Sequence, residues 1–248
     1  MFEMKKNILI SSICLFILTF LNAQQDAPKL TEQWNPVPKV ITAGTMSTDA
    51  PSDAIVLFNG KNGSAWQQSN GKDFAWNVDS GYMMVKPGTG NIQTKQSFGS
   101  CQIHIEWRSP KIVKGEGQGR GNSGILLMGR YEVQVLDNYN NRTYSNGQAA
   151  SIYKQRMPLV NVCRPPGEWQ TYDIIFTAPQ FNTDTTLKTA ARVTILHNGV
   201  LVQNNTEIWG SSAYIGISKY EMHSSKEPIV LQDHGDLVSF RNIWIREL

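Results

Sequence analysis

From Ala54 onward, apolar and polar residues alternate with period two through most of the chain, the pattern of half-buried β-strands. Residues 55–58 form a first apolar run, closed by the turn residues 59–63. Residues 76–78 and 82–85 flank Asp79, Ser80 and Gly81 and predict a hairpin. A short run at 92–94 precedes the clearest alternation in the chain. There Cys101, Ile103, Ile105 and Trp107 interleave with Gln102, His104, Glu106 and Arg108. Further strands are predicted at 172–176 and 191–197, the latter turned by Asn198-Gly199 into 200–202. Runs at 214–217, 229–232 and 238–245 complete the set. No segment carries an amphipathic helix pattern, and no internal repeat is present. About a dozen strands separated by turn-sized gaps predict an all-β fold, a jelly-roll β-sandwich. Strands with one polar face suggest a curved sheet whose outer, concave side binds a ligand.

The chain is organised around residues 122–137. They read as two short strands joined by a turn at Gly129, with Tyr131, Val133 and Val135 on one face and Glu132 and Gln134 on the other. An acid and an amide on an otherwise apolar strand need solvent or a ligand, because burying a carboxylate without a partner is costly.

The N-terminus stands apart from this pattern. Lys5 and Lys6 precede an apolar run from Ile8 to Leu21, and Leu21, Asn22 and Ala23 follow the form of a cleavage site. Residues 1–23 thus read as a secretory signal peptide cleaved after Ala23, too short for a stable membrane span, and imply a periplasmic or extracellular protein. Cys14 lacks the small residues a lipoprotein anchor needs before it. Residues 24–53, with Pro28, Pro36, Pro38 and Pro51 among Ser, Thr and Ala, read as a linker or arm, with Trp34 able to dock it. The domain proper is expected over 54–248.

Loss of Lys5, Lys6 and Glu3 with the leader lowers the formal charge of +3 by one. Near-neutrality argues against nucleic acid as a partner. An exported protein can pair Cys101 with Cys163, but their spacing suggests neither a disulfide framework nor a zinc site. Alone on an apolar strand face, Cys101 reads as a small buried hydrophobe. The glycine-rich stretch 115–121 is followed by no helix, so it is not a nucleotide-binding turn.

Candidate chemistry collects in three places. His104, Glu106 and Arg108 share one strand face. Glu132 and Gln134 share another, with Asp137 beyond. Gln232, Asp233, His234 and Gly235 precede the last strand, which carries Arg241. Were these strands neighbours, they would form a pocket with two carboxylates, two guanidinium groups and an imidazole. Each set taken alone is equally a solvated face tied by surface ion pairs. Tyr131, Tyr153 and Trp107 could stack on a sugar or fill the core, and alternation puts Trp107 in the core. His197 and His223 read as structural. His234 is the reachable histidine, with Asp233 beside it to orient the ring. Asp137, Asp233 and His234 could hold a divalent cation, though no cofactor is required. Arg241 can equally anchor Glu106 or contact a ligand.

Laminarinase-type glucanases carry Glu-x-Asp-x-x-Glu on one strand. Here that spacing reads Glu132-x-Gln134-x-x-Asp137, with the helper acid replaced by an amide. In a regular strand, residue i+5 faces away from residue i unless a bulge intervenes.

Six blocks occur in order: Leu57 to Lys61 followed by Trp66; Ile105 to Arg108; Asn122 to Ile125; Tyr131 to Asp137; Gly167 to Trp169; and Leu231 to Gly235 through Phe240 to Ile243. Together they resemble the 3-keto-disaccharide hydrolase family over about residues 54–248. The resemblance implies a concanavalin A-like sandwich, export, and cleavage of glycosides already oxidised at C3. The ketone acidifies C2–H, a base removes it, and the enolate expels the C1 oxygen; water then adds, or the enone is released. On this reading Glu132 or His234 is the base, Arg108 or a metal polarises the ketone, and Glu106 or Asp137 orients or protonates. Asn122, Gln134, Tyr153 and Arg241 are candidates for sugar hydroxyls. The segment 111–120 and the Asn-rich loop after Asp137 depart from the family pattern. A laminarinase-like glycosidase and a non-catalytic carbohydrate-binding module are the rival readings.

Overall fold

The computed structural model describes residues 27–248. The signal peptide expected over residues 1–23 lies outside the described residues. Within the N-terminal unit, which ends at Ile41, a 3-10 turn spans Ala27–Thr31, and Trp34 is exposed with its indole N–H on Glu32.

The second unit, Thr42–Leu248, begins earlier than the expected domain start at Ala54. Residues 48–53 are held by side chains of the last strand. The Thr48 carbonyl accepts from Asn242 and from the Trp244 indole, and Arg246 pairs with Asp53 at 2.8 Å. Polar partners of this kind leave no hydrophobic periodicity, so the sequence reads as a loose arm.

Fifteen strands follow: β1 Ile55–Phe58, β2 Trp66–Gln68, β3 Asn77–Asp79, β4 Tyr82–Met84, β5 Ile92–Phe98, β6 Cys101–Arg108, β7 Ser123–Leu127, β8 Tyr131–Val135, β9 Gln170–Thr177, β10 Gln180–Phe181, β11 Leu187–Thr189, β12 Arg192–His197, β13 Val200–Glu207, β14 Glu227–Leu231 and β15 Ser239–Glu247. Among the described residues, helical structure is confined to three short 3-10 turns.

The strands form an all-β sandwich of the jelly-roll kind. The larger sheet runs β13-β12-β9-β6-β15-β4-β3, with β1 also on β15. The smaller runs β2-β5-β14-β7-β8, and β10 and β11 make a separate ribbon. The late strands β14 and β15 insert between early ones, so neither sheet is complete until the end of the chain is in place. Ile103, Ile105 and Trp107 of β6 share one core with Ile125 and Leu127 of β7 and Tyr131 and Val133 of β8. Burying each large apolar side chain there contributes about 1.5–3 kcal/mol. Polar ties also cross that core: the Tyr172 hydroxyl donates to the Gln134 carbonyl at 2.9 Å, and the Trp66 indole N–H to the Leu57 carbonyl at 2.9 Å.

Two expectations change, and one question the sequence left open closes. Residues 214–217 are not a strand but an exposed loop, in which Ile215 and Ile217 are 84% and 92% exposed and Gly216 takes a φ of +92°. Apolar and β-branched content alone cannot make a strand where no neighbour offers a ladder. Cys101 and Cys163 are both free thiols, and burial pushes each up to about 12. Third, β6 and β8 lie in different sheets, so the single pocket imagined from adjacent polar strands does not form.

Candidate functional site

On β8, Tyr131, Val133 and Val135 enter the core, and alternation turns Glu132 and Gln134 to the opposite face of the smaller sheet. β7 lies beside it, with Leu126 opposite Glu132 and Gly124 opposite Gln134. Gly124 keeps space open there, since a Cβ on it would fall 2.6 Å from Oε1 of Glu132.

Two irregular segments raise walls around this face by backbone bonds to β8. In the first, Ala150 N–H donates to Gln134 O at 2.9 Å and Tyr153 N–H to Glu132 O at 3.1 Å, which sets Tyr153 beside the carboxyl. In the second, Ser212 N–H donates to Arg130 O at 2.8 Å, and Ser212 Oγ accepts from Glu132 N–H at 2.9 Å. The end of β14 closes a third side. Gln232 N–H donates to Gly124 O, and the Gln232 carbonyl accepts from Ser123 Oγ at 2.7 Å. The result is a cavity of about 320 Å³ in which Asn122, Glu132, Gln134, Tyr153 and His234 meet. Five of the nine residues proposed from sequence thus converge.

Glu132 is the sole carboxylate lining this cavity among the described residues. Burial, with no cation to offset it, pushes its carboxyl up to about 7. Its neighbour is the Gln134 amide, 3.0 Å from Oε1 on one side and 3.1 Å from Gln118 Oε1 on the other. With its NH₂ toward Glu132 the amide stabilises the carboxylate; with its carbonyl there it accepts from the acid. Gln232 also lines the cavity, and its side-chain Oε1 is buried with no hydrogen-bond partner among the described residues.

His234 is exposed at the cavity edge, as the Asp-His-Gly turn suggests. Asp233, however, shapes the turn and does not orient the ring. Its carboxylate accepts from Gly88 N–H at 2.8 Å, Gly90 N–H at 3.0 Å and Gly235 N–H at 3.0 Å.

Four proposed residues lie elsewhere. Glu106 sits on the face of the larger sheet turned from the core, where it accepts from Arg241 at 2.6 Å and Asn242 at 2.9 Å. Arg241 is therefore its anchor. Arg108, from the same face, packs against the Tyr82 and Trp169 rings, 4.5 and 4.6 Å from their centroids. Asp137 is paired with Arg120 at 2.8 Å and lines a different cavity from Glu132. The glucanase-like spacing thus brings no second carboxyl to Glu132, in keeping with the i+5 geometry. Asp137, Asp233 and His234 do not converge either, and the described residues contain no group of three or more His, Cys, Asp or Glu placed to hold a metal ion.

Sequence reasoning passed over Ser212 and Tyr214 as site residues and named Gln232 only as part of its turn, without a role. It also passed over the rim, where the Tyr144 and Tyr153 hydroxyls meet at 2.8 Å and the Lys154 ammonium lies 4.2 Å from the Tyr214 ring centroid. Lys154 holds a left-handed φ of 57°, which aims it at that rim. The loop residues carry no local signal.

The sequence pattern described as a 3-keto-alpha-glucoside-1,2-lyase-like domain matches residues 53–246. A crystal structure from Parabacteroides distasonis, of a protein provisionally described as a glycosyl hydrolase, is 52% identical; the match covers 89% of this chain and 96% of that one, with a TM-score of 0.85. Two further structures of proteins so described, from the same organism, share the fold at 21% and 19% identity. They cover 84% and 79% of this chain and 100% and 99% of their own, with TM-scores of 0.59 and 0.55. Comparison with curated proteins gives no match.

Proposed function

The chain belongs to the 3-keto-alpha-glucoside-1,2-lyase-like family, carbohydrate-active enzymes acting on glycosides, and on that premise we propose that it cleaves 3-keto glycosides by abstracting the C2 proton. The observation that carries this reading is Glu132: a buried carboxyl, free of cations, poised near neutral pH in a sugar-sized cavity.

The ketone at C3 acidifies the C2 hydrogen. Glu132 takes that proton, and the electron pair of the C–H bond becomes a C2–C3 enolate. Hydroxyl donors at the cavity wall, Tyr153 and Ser212, stabilise the C3 oxyanion in place of Arg108, which lies on the other sheet. As the ketone re-forms, C1=C2 forms and the C1–oxygen bond breaks, with His234 supplying a proton to the departing oxygen. Water adding at C1 completes a net hydrolysis; release of the enone makes the reaction a lyase reaction. The amides of Asn122 and Gln134 and the unpartnered Gln232 Oε1 suit sugar hydroxyls. With a leader over residues 1–23, the reaction belongs outside the cytoplasm. A two-carboxylate glycosidase mechanism finds less support, because Glu132 has no carboxylate partner across the cavity.

The test is product analysis by mass spectrometry and NMR with 3-keto-trehalose, 3-keto-lactose and their unoxidised parents, with and without a chelator. Cleavage of the keto sugars alone, with deuterium incorporated at C2 in heavy water, is the expected result. Equal cleavage of the parents, or glycan binding without any turnover, overturns the proposal. The chelator arm reports whether a divalent cation takes part.

A further inference from the structure

A second cavity, of about 470 Å³, lies across a wall one residue thick. Gly121 and Gly235 line it, while their neighbours Asn122 and His234 line the Glu132 cavity. The wall is stitched by Asn122 N–H donating to Asp236 Oδ2 at 2.8 Å.

This second cavity is built and not merely enclosed by a loop. A Cβ on Gly121, whose φ is +57°, would lie 2.8 Å from Ser109 Cβ and 3.2 Å from Asp137 Cβ. One on Gly167, at φ +87°, would lie 2.8 Å from Lys111 Cβ. Gly167 N–H also donates to Ser109 O at 3.1 Å. Only glycines allow these segments to seat so closely.

Its charges are unbalanced. Both lining carboxylates are engaged, Asp137 by Arg120 and the Tyr139 N–H, and Asp236 by the Asn122 N–H. Arg108, Lys111 and Lys114 also line the cavity, and among the described residues none has an ion-pair partner. With Tyr82 and Trp169, themselves in edge contact, packed against it, the Arg108 guanidinium keeps N–H groups for a planar or tripodal anion. Met84, Ile112 and Leu237 supply apolar surface between the cations.

We infer that this cavity binds a negatively charged sugar ring, carrying a carboxylate or a sulfate, as one unit of the glycoside whose other unit reaches Glu132. A neutral ring would leave unmatched the excess of Arg108, Lys111, Lys114 and Arg120 over Asp137 and Asp236, whereas a charged one meets it at its anionic substituent and the apolar patches along its C–H face. The inference rests on the carbohydrate-acting reading but not on the chemistry assigned to Glu132.

The test is calorimetric binding to the full chain of phenyl β-glucuronide, phenyl 6-sulfo-β-glucoside and neutral phenyl β-glucoside. The arms are repeated with a Lys111→Gln/Lys114→Gln variant and with Glu132→Gln. Both lysines are exposed, so circular dichroism of the double variant should match the parent. The charged ligands should bind at least about 10-fold more tightly than the neutral one, an advantage that shrinks with added salt. The advantage should vanish in the double lysine variant and persist in Glu132→Gln, and the two charged arms rank carboxylate against sulfate. Equal affinities, no binding of any ligand, an advantage that survives the lysine changes, or one lost only in Glu132→Gln would each overturn the inference. Because binding is read without turnover, failure of the keto-sugar chemistry would leave this result standing.

Discussion

Gly124 leaves the space that the Glu132 carboxyl occupies: a Cβ at Gly124 would lie 2.6 Å from Oε1 and 3.1 Å from Cδ and Cγ. Because Gly124 sits in a regular strand, alanine there should fold and push the carboxyl aside. We expect Gly124→Ala to lower kcat/KM on a 3-keto glycoside by about 10²-fold, the scale of a 1 Å misplacement. Thermal melting should shift by only a few degrees. Unchanged kinetics would remove Glu132 from the reacting position.

Glu132 should also set two pH profiles. As the base, it makes kcat/KM rise with pH and level off above about 7. Stability runs the other way. The native carboxyl holds its proton more tightly than an ordinary glutamate at 4.5, so stability falls as pH rises from about 4.5 to about 7. Glu132→Gln should therefore lose at least about 10²-fold in rate. At pH 8 it should gain roughly 3 kcal/mol in stability, a gain that disappears near pH 4. Denaturant titrations at the two pH values measure this directly.

His104 should produce a slope of the same sign, shifted to higher pH. Burial pulls the imidazole down, but its 2.7 Å bond to Asp173 and the nearby Glu106 outweigh that and raise it to about 9. The Glu106 contact, 3.8 Å from Nε2, is an ion pair and too long for a hydrogen bond. The stabilisation is complete below about 6.5 and is lost as pH rises through about 9. Asp173→Asn should cost about 1–2 kcal/mol at pH 6, allowing for the exposure of Asp173, and little at pH 10.

Arg241→Met separates anchoring from catalysis. Burial pushes Glu106 up, yet His104, Asn242 and Arg241 outweigh it and hold the carboxyl at about 2. Removing Arg241 should cost about 1–3 kcal/mol of stability while leaving kcat of the folded enzyme unchanged. A large fall in kcat without loss of stability would return Arg241 to the reacting machinery.

The strands were readable wherever alternation was strong, as in Cys101 to Arg108, and so was the divergence of Glu132 from Val133. Period two tells which residues share a face but not which sheet a strand joins. Glu106 and Glu132 carry the same local pattern, yet β6 pairs with β9 and β15 while β8 pairs with β7. That choice depends on where β14 and β15 insert, a long-range matter. Glu132 and Gln134 stand out because polar groups on an apolar strand are locally anomalous, and His234 because its turn leaves the ring reachable. Ser212 and Lys154 do not, because an ordinary loop residue becomes part of a site only through the backbone bond that places it. The run Tyr214 to Ile217 misled for the converse reason: its composition suits a strand that no partner accepts.

Main-chain bonds seat both loops on β8, Tyr153 N–H to Glu132 O and Ser212 N–H to Arg130 O, and the Ser212 hydroxyl adds a side-chain bond to Glu132 N–H. The main-chain anchors ignore side-chain identity. Apart from side-chain ties such as the Ser212 hydroxyl and Gln155, the loops that shape the cavity mouth can therefore be recut without disturbing the ladder beneath them. In evolutionary terms the sandwich is a handle and these two loops are exchangeable bits, so changing what is gripped does not require refolding the tool.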